Sequence, residues 1–570
     1  MAQSQELVIL HFNDVYHISN TNLIARFATV LSNPDYIAED SPSSSGLDNN
    51  NILRIFSGDA FSPSLEAAVL RGGHMAPVLD GLGVDAACYG NHDFDFGEVR
   101  LIELARQTRF PWLLANAVSG KDGNRRLLAG DREYLVKEVA GYRIGFFGLA
   151  GTDWPSNCQH LPECTILDPS TVAKKVASHL RLSEGCDLVI AITHMRLVDD
   201  LAVANATLSG AARVDILLGG HDHHVVRRAV GDNNPDPNTL QSGCDDVANI
   251  SNFRGDVRVV KSGSDWRGLS ILRLQVGKND QINAFISNIS LQQIIDLEKL
   301  PNYNTIPPSP QVLNALHTIH DRIENNVQRP LLHTAVPLEG RSRLVRGEET
   351  NLGNMLADAT CAFYNCDIAL INSGGIRCDR VIESTTNGTA PLCIRDVIEI
   401  CPFDNAFVVK RVSGHVLVEA LENSVSNAYS DGRFLQLSVG LCVTIDWTRP
   451  EGERVCSVLV SRAQDDTPQQ LDREQIYIVA MAAFIGSGFD GYSCFQNTET
   501  LIDAEGAVTD TNLLLEMFKT ARADADHSEL DIADDHTSGI RRARRAVIRR
   551  FHTDGLPVVA PVVERRMVAV

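Results

Sequence analysis

The first half of the chain alternates short apolar runs with amphipathic segments. The runs LVILHF, ILRIFSG, AACYG and WLLANA fall within the first 120 residues and predict buried strands. The segments between them, such as SLEAAVLRGGHMAPVLDGLG, carry apolar residues at helical spacing. GYRIGFFGLAG, CDLVIAITHM and VDILLGGHD continue the alternation, and VRVVKSGSDWRGLSILRLQV predicts a hairpin-like pair. We therefore predict a layered α/β domain over residues 1–298.

A second α/β domain follows a change in composition near residue 300. LPNYNTIPP has the composition of a linker, and an amphipathic helix follows it, so residues 299–329 are predicted to connect two domains. NLGNMLADATCAF predicts a helix, and DIALINSGGIR and IYIVAMAAFIGSGFDGY predict strands that enter glycine-containing loops. We assign residues 330–530 to this domain. Residues 531–570 are predicted to form an arginine-rich tail, either a helix on the acidic body or a poorly ordered segment.

Composition narrows the functional classes. The net charge of −21 argues against nucleic-acid binding, because phosphate backbones need a cationic surface. No apolar run reaches the ~18 residues of a membrane helix, and no export signal precedes the first strand. Thirteen cysteines without a CxxC pair indicate reduced thiols. These features favour a cytoplasmic protein with a small-molecule partner, and they leave the oligomeric state open.

Polar residues with metal-ligand chemistry stand directly after several apolar runs of the first domain. The carboxyl ends of strands are where an α/β sheet gathers its ligands. The candidates are Asp14, Asp59, Asn91, His194, His221 and His223. Their order and context predict a site for two divalent ions, with Zn, Mn, Mg and Fe not distinguished.

Asp59 is the candidate bridge, since one carboxylate can face both ions. Asp14 and His223 are expected to hold one ion, and the remaining candidates the other. Such a pair polarises a phosphate oxygen and activates a water molecule for in-line attack. His92, beside these ligands, is predicted to act as the catalytic donor, and Asp95 to fix its tautomer.

These motifs resemble the calcineurin-like metallophosphoesterases, whose pattern is D-x-H, GDxx, GNHD/E, H and GHxH. The second domain resembles the C-terminal domain of the 5′-nucleotidase family through NLGN, NSGGIR and FIGSGFDGY. The resemblance implies a four-layer β-sandwich with flanking helices, followed by an α/β substrate-binding domain. It also implies hydrolysis of nucleoside monophosphates or related small phosphate esters. The alternatives are nucleotide-sugar or cyclic-nucleotide cleavage, or a regulatory protein with weakened catalysis.

The resemblance further implies a nucleotide site in the second domain. Phe434 and Phe484 would sandwich the base, and Asp490 would contact the ribose. The loop N-x-G-G-[IV]-R would contribute the other substrate-binding residues, which here are Asn372, Gly375 and Arg377.

Two positions depart from the family pattern. Tyr16 stands where the D-x-H histidine is expected, so it would ligate as a phenolate, point away, or leave the first ion weakly held. His17 cannot simply replace that histidine, because adjacent side chains at a strand edge face opposite sides. Phe489 replaces a glycine of the usual GGDGY, which restricts the backbone of the predicted ribose loop.

Overall fold

The structure is a computed structural model that forms two compact units, Met1–Arg322 and Ile323–Val570. It describes residues 5–37, 51–120, 126–130, 132–158, 161–241, 250–279, 282–385, 390–426, 432–461, 468–504, 506–519 and 535–570. Within these ranges, none of the helices combines the length and the apolar character that crossing a membrane requires.

The first unit is rich in strands. Its strands are β1 Gln5–Phe12, β2 Ile52–Phe56, β3 Ala86–Cys88, β4 Trp112–Leu113, β5 Ala117–Ser119, β6 Arg126–Leu127, β7 Tyr134–Val139, β8 Tyr142–Ala150, β9 Cys164–Ile166, β10 Leu188–His194, β11 Ile216–Gly220, β12 Val225–Ala229, β13 Ile250–Arg254, β14 Val257–Ser262, β15 Leu269–Asn279 and β16 Ile282–Ile294. Its helices are α1 Thr21–Ser32, α2 Leu65–Leu70, α3 Met75–Leu82, α4 Glu98–Ala105, α5 Trp154–Asn157, α6 Pro169–Leu182, α7 Leu197–Ala206 and α8 Pro310–Val327, which extends across the unit boundary.

Two large sheets form the centre of this unit. One has the order β13-β16-β15-β1-β2-β3-β4 and the other β12-β14-β11-β10-β8-β7. Ile9 and Ile55 of the first sheet share one buried apolar cluster with Ile144 and Ile190 of the second, so the sheets pack face to face. Helices α6 and α7 cover the outer face of the second sheet, and Phe27 of α1 packs edge-on against Phe12 of the first. The predicted four-layer α/β architecture is confirmed.

The second unit is a mixed α/β assembly. Its strands are β17 Pro330–Thr334, β18 Leu338–Glu339, β19 Ile368–Asn372, β20 Val381–Ile382, β21 Leu392–Cys393, β22 Phe407–Ser413, β23 Leu435–Leu437, β24 Leu441–Ile445, β25 Val455–Val460, β26 Gln469–Gln470, β27 Ile476–Ala482, β28 Glu499–Ile502, β29 Ile548–Phe551, β30 Pro557–Val559 and β31 Met567–Ala569. Its helices are α9 Ser342–Val345, α10 Asn351–Tyr364, α11 Ile394–Ile400, α12 Gly414–Ser426, α13 Ala483–Gly486, α14 Asp510–Lys519 and α15 Asp535–Val547.

A five-stranded sheet, β23-β19-β27-β22-β28, carries the motif loops of this unit. Strand β19 runs parallel to β27, so the loops that follow these two strands leave the sheet at the same edge. Thr350 caps α10 by accepting a hydrogen bond from the Gly353 N–H at 3.1 Å.

The last segment is part of the second unit, in contrast to the predicted tail at residues 531–570. Strand β30 pairs in parallel with β17, and β31 pairs in parallel with β24. Arg542 of α15 donates to the Ala362 and Phe363 carbonyls at the carboxyl end of α10. Arg544 donates in the same way to the Met517 carbonyl of α14. The arginines therefore satisfy helix-end carbonyls, which favours order over a solvated tail.

Arg566 fastens the end of the chain to the second unit. It is 5% exposed and donates to both carboxylate oxygens of Asp358 at 2.7 Å. It also donates to the Leu437 carbonyl at 2.7 Å. A two-pronged pair with a buried arginine is a strong charge-assisted contact.

We predict that Arg566→Met lowers the free energy of unfolding by about 3 kcal/mol, because it leaves the Asp358 carboxylate without its buried partner. Chemical denaturation measures this change. Arg550→Met, at an exposed position of β29, is the control and should shift stability by less than about 0.5 kcal/mol. Equal effects of the two substitutions would contradict the assigned role of Arg566.

Candidate metal centre

Five strand ends of the first unit bring the predicted ligands together. Strands β1, β2 and β3 are parallel neighbours in one sheet, and β10 and β11 are parallel neighbours in the other. The backbone N–H of Asp14 donates to the Gly58 carbonyl at 3.0 Å, which joins the ends of β1 and β2. The ligand candidates lie within or directly after these strand ends, so parallel pairing by itself gathers them at one edge.

Four of the six predicted ligands adopt left-handed backbone conformations. The φ angles are 54° at Asp14, 63° at Asp59, 83° at His221 and 58° at His223. Residues other than glycine adopt this region at an energetic cost, and such residues concentrate at functional sites. The surrounding fold therefore holds these side chains in directions that an ordinary strand or turn would not give.

Asp14, Asp59 and His194 form the buried centre of the cluster. Each is fully buried, and one donor atom from each lies within 4.8 Å of the others. His194 Nε2 is 3.1 Å from Asp59 Oδ2 and 3.9 Å from Asp14 Oδ1. His223 Nε2 lies 3.3 Å from the same Asp14 Oδ1. Two carboxylates and two imidazoles thus face one small volume, a donor set that suits borderline divalent ions.

Two histidine nitrogens in this cluster have the environment of metal ligands. His194 Nε2 and His221 Nδ1 are buried, and no hydrogen bond from the described residues reaches them. The opposite ring nitrogens are anchored, since His194 Nδ1 is 2.7 Å from the Ser57 carbonyl and His221 Nε2 is 2.9 Å from Asp153 Oδ2. An outer partner on one nitrogen with a buried, unbonded second nitrogen is the arrangement of metal-binding histidines. The residues therefore fit a metal ion.

The electrostatics of the cluster also favour a cation. Burial would raise the pKa of Asp59, but His194 and His92 hold it below its usual value. Burial would lower the pKa of His194, but Asp59 and Asp14 raise it to about 9. The carboxylates therefore stay ionised and attract positive charge, which a divalent ion supplies when it displaces the proton.

His92 and Asp95 form the predicted dyad beside these ligands. His92 Nδ1 lies 2.8 Å from Asp95 Oδ2, and both residues are 2% exposed. The His92 backbone N–H donates to Asp59 Oδ1 at 2.9 Å. Asn91 precedes them and is fully buried in the same turn. The dyad is therefore built into the turn that also supports Asp59.

Asp93 organises this turn and was missed by the sequence reasoning. Its carboxylate accepts hydrogen bonds from the backbone N–H groups of Asp59, Ala60, Phe61 and Gly90, at 2.8 to 3.1 Å. Burial and the nearby Asp59 raise the pKa of Asp93 to about 6. The N-H-D sequence contained this carboxylate as a signal, but three of its four partners follow a different strand, β2.

Tyr16 points into the cluster. It is 5% exposed, and its Oη lies 2.8 Å from His223 Nε2, 3.1 Å from Asp14 Oδ1 and 3.3 Å from Asp59 Oδ2. Adjacent donors around an ion at about 2.1 Å are themselves about 3 Å apart in octahedral geometry. The alternative in which Tyr16 points away is therefore excluded. His17 is exposed and lies near Asp265.

Lys261 supports the ligand segments from below and was also missed. It is fully buried, with Nζ 2.7 Å from Asp200 Oδ2 and 2.6 Å from Asp222 Oδ2. Nζ also donates to the Met195 and Gly220 carbonyls at 2.7 and 2.6 Å. Burial would lower the pKa of Lys261, but the two carboxylates raise it, so the group stays cationic. Met195 and Gly220 adjoin His194 and His221, so Lys261 ties the two ligand segments together.

The N-S-G-G-I-R loop in the second unit is held against residues 432–434. The Gly374 N–H donates to the Gly432 carbonyl at 2.8 Å. A Cβ atom built on Gly432 would lie 3.8 Å from Asp490 Oδ2, so Asp490 lies beside this loop. Asn372 and Gly375 are buried and line a cavity of 20 Å³, which is the size of one water molecule. Arg377 is exposed, with its guanidinium 5.1 Å from the centre of the Phe403 ring.

The aromatic residues of this unit differ from the predicted pair. Phe434 is 1% exposed and packs in the apolar core, so its ring presents no face to a ligand. Phe484 is 42% exposed and stacks on Phe489, with ring centres 5.0 Å apart and an interplanar angle of 12°. Phe403, which the sequence reasoning missed, is 56% exposed. Phe489 takes an ordinary backbone conformation, because Gly488 and Asp490 on either side adopt the positive φ angles.

Comparisons with known proteins agree with both units. Residues 330–497 match the sequence model of the 5′-nucleotidase C-terminal domain. The chain is 26% identical to Protein 5NUC of Lutzomyia longipalpis over 532 residues, which cover 86% of this chain and 87% of that protein. It is 25% identical to the Homo sapiens 5′-nucleotidase over 529 residues, with 87% and 85% covered. The Haemophilus influenzae NAD nucleotidase has the same fold, with a TM-score of 0.66, 16% identity and 100% of both chains covered.

We predict that Lys261→Met lowers both stability and metal retention. Removing the ammonium leaves Asp200 and Asp222 as buried, unpaired carboxylates, which costs about 3–5 kcal/mol in the free energy of unfolding. Denaturant titration and metal analysis after dialysis measure the two effects. The double variant Lys261→Met with Asp222→Asn removes one of the stranded charges and should recover part of the stability. A single variant as stable as the parent would contradict the assigned role.

Proposed function

The chain belongs to the 5′-nucleotidase family, and on this premise we propose that it is a metal-dependent phosphohydrolase acting on nucleoside monophosphates or related small phosphate esters. The observation that carries the proposal is the buried cluster of Asp14, Asp59 and His194, with histidine nitrogens that no described residue satisfies. The extent of the similarity supports it, since relatives named 5′-nucleotidase align over most of both chains.

We further propose that the cluster holds two divalent ions. We assign Asp14, His223 and Tyr16 to one ion and His194 to the other, with Asp59 shared, because Tyr16 Oη and His194 Nε2 both approach Asp59 Oδ2, at 3.3 and 3.1 Å. Asn91 and His221 are assigned to the same ion as His194. When bound, the ions would polarise the phosphoryl group and lower the pKa of a water molecule for attack on phosphorus.

His92 is assigned the proton transfers at the phosphate ester. Its Nδ1 is bonded to Asp95, so Nε2 is the ring nitrogen that we assign to the substrate. A carboxylate on the far nitrogen fixes the tautomer and stabilises the protonated ring. His92 would therefore donate a hydrogen bond to the phosphoryl oxygen or a proton to the leaving group. The hydrogen bond from the His92 backbone N–H to the Asp59 carboxylate holds the His92 segment next to the metal-ligand cluster.

The second unit is assigned the recognition of the nucleoside. The exposed rings of Phe403 and Phe484 offer flat apolar faces to a base, whereas Phe434 does not. Arg377, exposed beside Phe403, is suited to bind an anionic group. Asp490, next to the Gly374–Gly432 contact, offers a carboxylate to ribose hydroxyls. Asn372 and Gly375 then act by shaping the loop, since both are buried.

A phosphate-release assay tests the proposal. The purified chain, loaded in turn with Zn²⁺, Mn²⁺ and Mg²⁺, is expected to release inorganic phosphate from nucleoside monophosphates. Asp59→Asn and His92→Gln should each lower kcat by about 100-fold or more, because they remove a metal ligand and the proton donor. Asp35→Asn and His317→Gln, both at exposed positions, are the matched controls and should keep full activity.

Three outcomes discriminate among the alternatives. Release from a cyclic nucleotide or a nucleotide sugar, with none from monophosphates, would redirect the substrate assignment. Nucleotide binding without turnover in the metal-loaded chain would identify a regulatory protein. Equal activity of Asp59→Asn and the parent would overturn the proposed site.

We predict that Tyr16→His increases metal retention. An imidazole binds a borderline ion as a neutral ligand, whereas a phenol must first lose its proton, whose pKa is about 10, to bind as a phenolate. The fraction of metal retained during dialysis against a chelator should rise about tenfold. Tyr36→His, at an exposed tyrosine, is the control. Unchanged metal retention in Tyr16→His would contradict the prediction, and lower retention would show that the phenol oxygen is the better donor at this position.

A further inference from the structure

A second cluster of metal-ligand side chains lies in the second unit. His333 is the fourth residue of β17, while His552 and Asp554 belong to the turn between β29 and β30. The parallel pairing of β17 with β30 brings these residues together, although His333 and Asp554 are 221 positions apart in the chain. Both residues of the turn lie beyond the matched family domain, which ends at residue 497.

The three side chains converge on one point. His333 Nε2 is 2.9 Å from Asp554 Oδ2, and His552 Nδ1 is 3.1 Å from Asp554 Oδ1. One donor atom from each residue lies within 4.8 Å of the others. Donors bound to a tetrahedral zinc ion at about 2.0–2.1 Å are about 3.3 Å apart, so a small adjustment would let all three reach one ion.

The outer contacts hold the cluster in this orientation. His333 is 3% exposed, and its Nδ1 lies 3.1 Å from Thr385 Oγ1, which directs Nε2 toward Asp554. Asp554 Oδ1 accepts the Leu556 N–H at 3.0 Å, and the His552 N–H donates to the Leu556 carbonyl at 2.8 Å. A second-shell partner on the far nitrogen is characteristic of a metal-binding histidine.

The hydrogen bonds among the described residues do not satisfy every donor and acceptor of this cluster, as His552 shows. Its Nδ1 is buried, and none of the described residues bonds to it with hydrogen-bond geometry, despite the 3.1 Å approach to Asp554. Asp554 lies between the two imidazoles, with Oδ2 facing His333 and Oδ1 facing His552.

We propose that His333, His552 and Asp554 bind a zinc ion, or a similar borderline divalent ion, at a site separate from the cluster of Asp14, Asp59 and His194. Two imidazoles and a carboxylate form a three-ligand set with an open position for water. The Asp554 side chain is 43% exposed, which gives an ion access from solvent. The ion would fasten the β29–β30 hairpin to β17 and so close a long loop of the chain.

Zinc stoichiometry tests this proposal on the full chain. The parent, His552→Gln, Asp554→Asn and the control His415→Gln are dialysed at fixed free zinc and analysed for metal. His415 is an exposed histidine of α12. The first two variants are expected to bind one zinc fewer per chain than the parent and the control, with phosphate-ester hydrolysis retained. Asp59→Asn should lose zinc from the first unit but keep this ion.

Spectroscopy provides a second measurement, made on the Asp59→Asn variant so that the first-unit cluster is weakened. Cu²⁺ bound to the Asp59→Asn variant should show electron paramagnetic resonance splitting from two imidazole nitrogens, and His333→Gln should remove one of them. Circular dichroism of each variant verifies folding. An equal zinc count in His552→Gln, Asp554→Asn and the parent would overturn the site, and the hydrolase proposal would be unaffected. An absence of hydrolysis in a parent chain that binds this zinc would count against the hydrolase proposal alone.

Discussion

The first unit is organised around two buried carboxylates that require compensating positive charge. Asp14 and Asp59 are both fully buried and face the same side chains, so their charges repel each other in a medium that screens poorly. Positive charge must therefore lie beside them. His194 supplies part of it in this structure, and the geometry of the nearby histidine nitrogens suits an ion that would supply the rest. The hydrogen bonds to Asp93 and the ion pairs of Lys261 make sense as supports for this arrangement.

The second unit meets a different electrostatic problem. The chain as a whole is strongly acidic, yet its last segment is rich in arginine. Arg542 and Arg544 donate to carbonyls at the ends of two helices, and Arg566 pairs with Asp358. The arginines of the last segment therefore donate hydrogen bonds to carbonyl and carboxylate oxygens of the preceding part of the unit. These arginines thus stabilise contacts with earlier parts of the unit, and β30 and β31 add to this attachment by pairing with β17 and β24.

Much of the first unit could be predicted from sequence because each ligand stands beside an apolar run. A strand of β-branched and leucine residues followed by Asp or His is a local signal, and Asp14, Asp59 and His194 each carry it. Lys261 could not be recognised, since its four partners come from helix α7 and from the ends of β10 and β11. The burial of Phe434 and the exposure of Phe403 were also hidden, because a single phenylalanine has the same local appearance in a core and on a surface. The pairing of β30 with β17 depends on contacts far apart in sequence, which a local pattern does not encode.

The stacked rings of Phe484 and Phe489 have a consequence for selectivity. Each ring already occupies one face of the other. A flat ligand that enters from that side must first separate them and forfeit a contact worth about 0.5–1.5 kcal/mol. The free energy of binding would then contain only the difference between the new stacking contact and the one that was lost. The lost contact would lower the affinity roughly two- to tenfold. At the proposed nucleoside site, a small ring system would gain little from this exchange and a larger bicyclic one would overlap more area, so the stacked pair would favour the larger ligand.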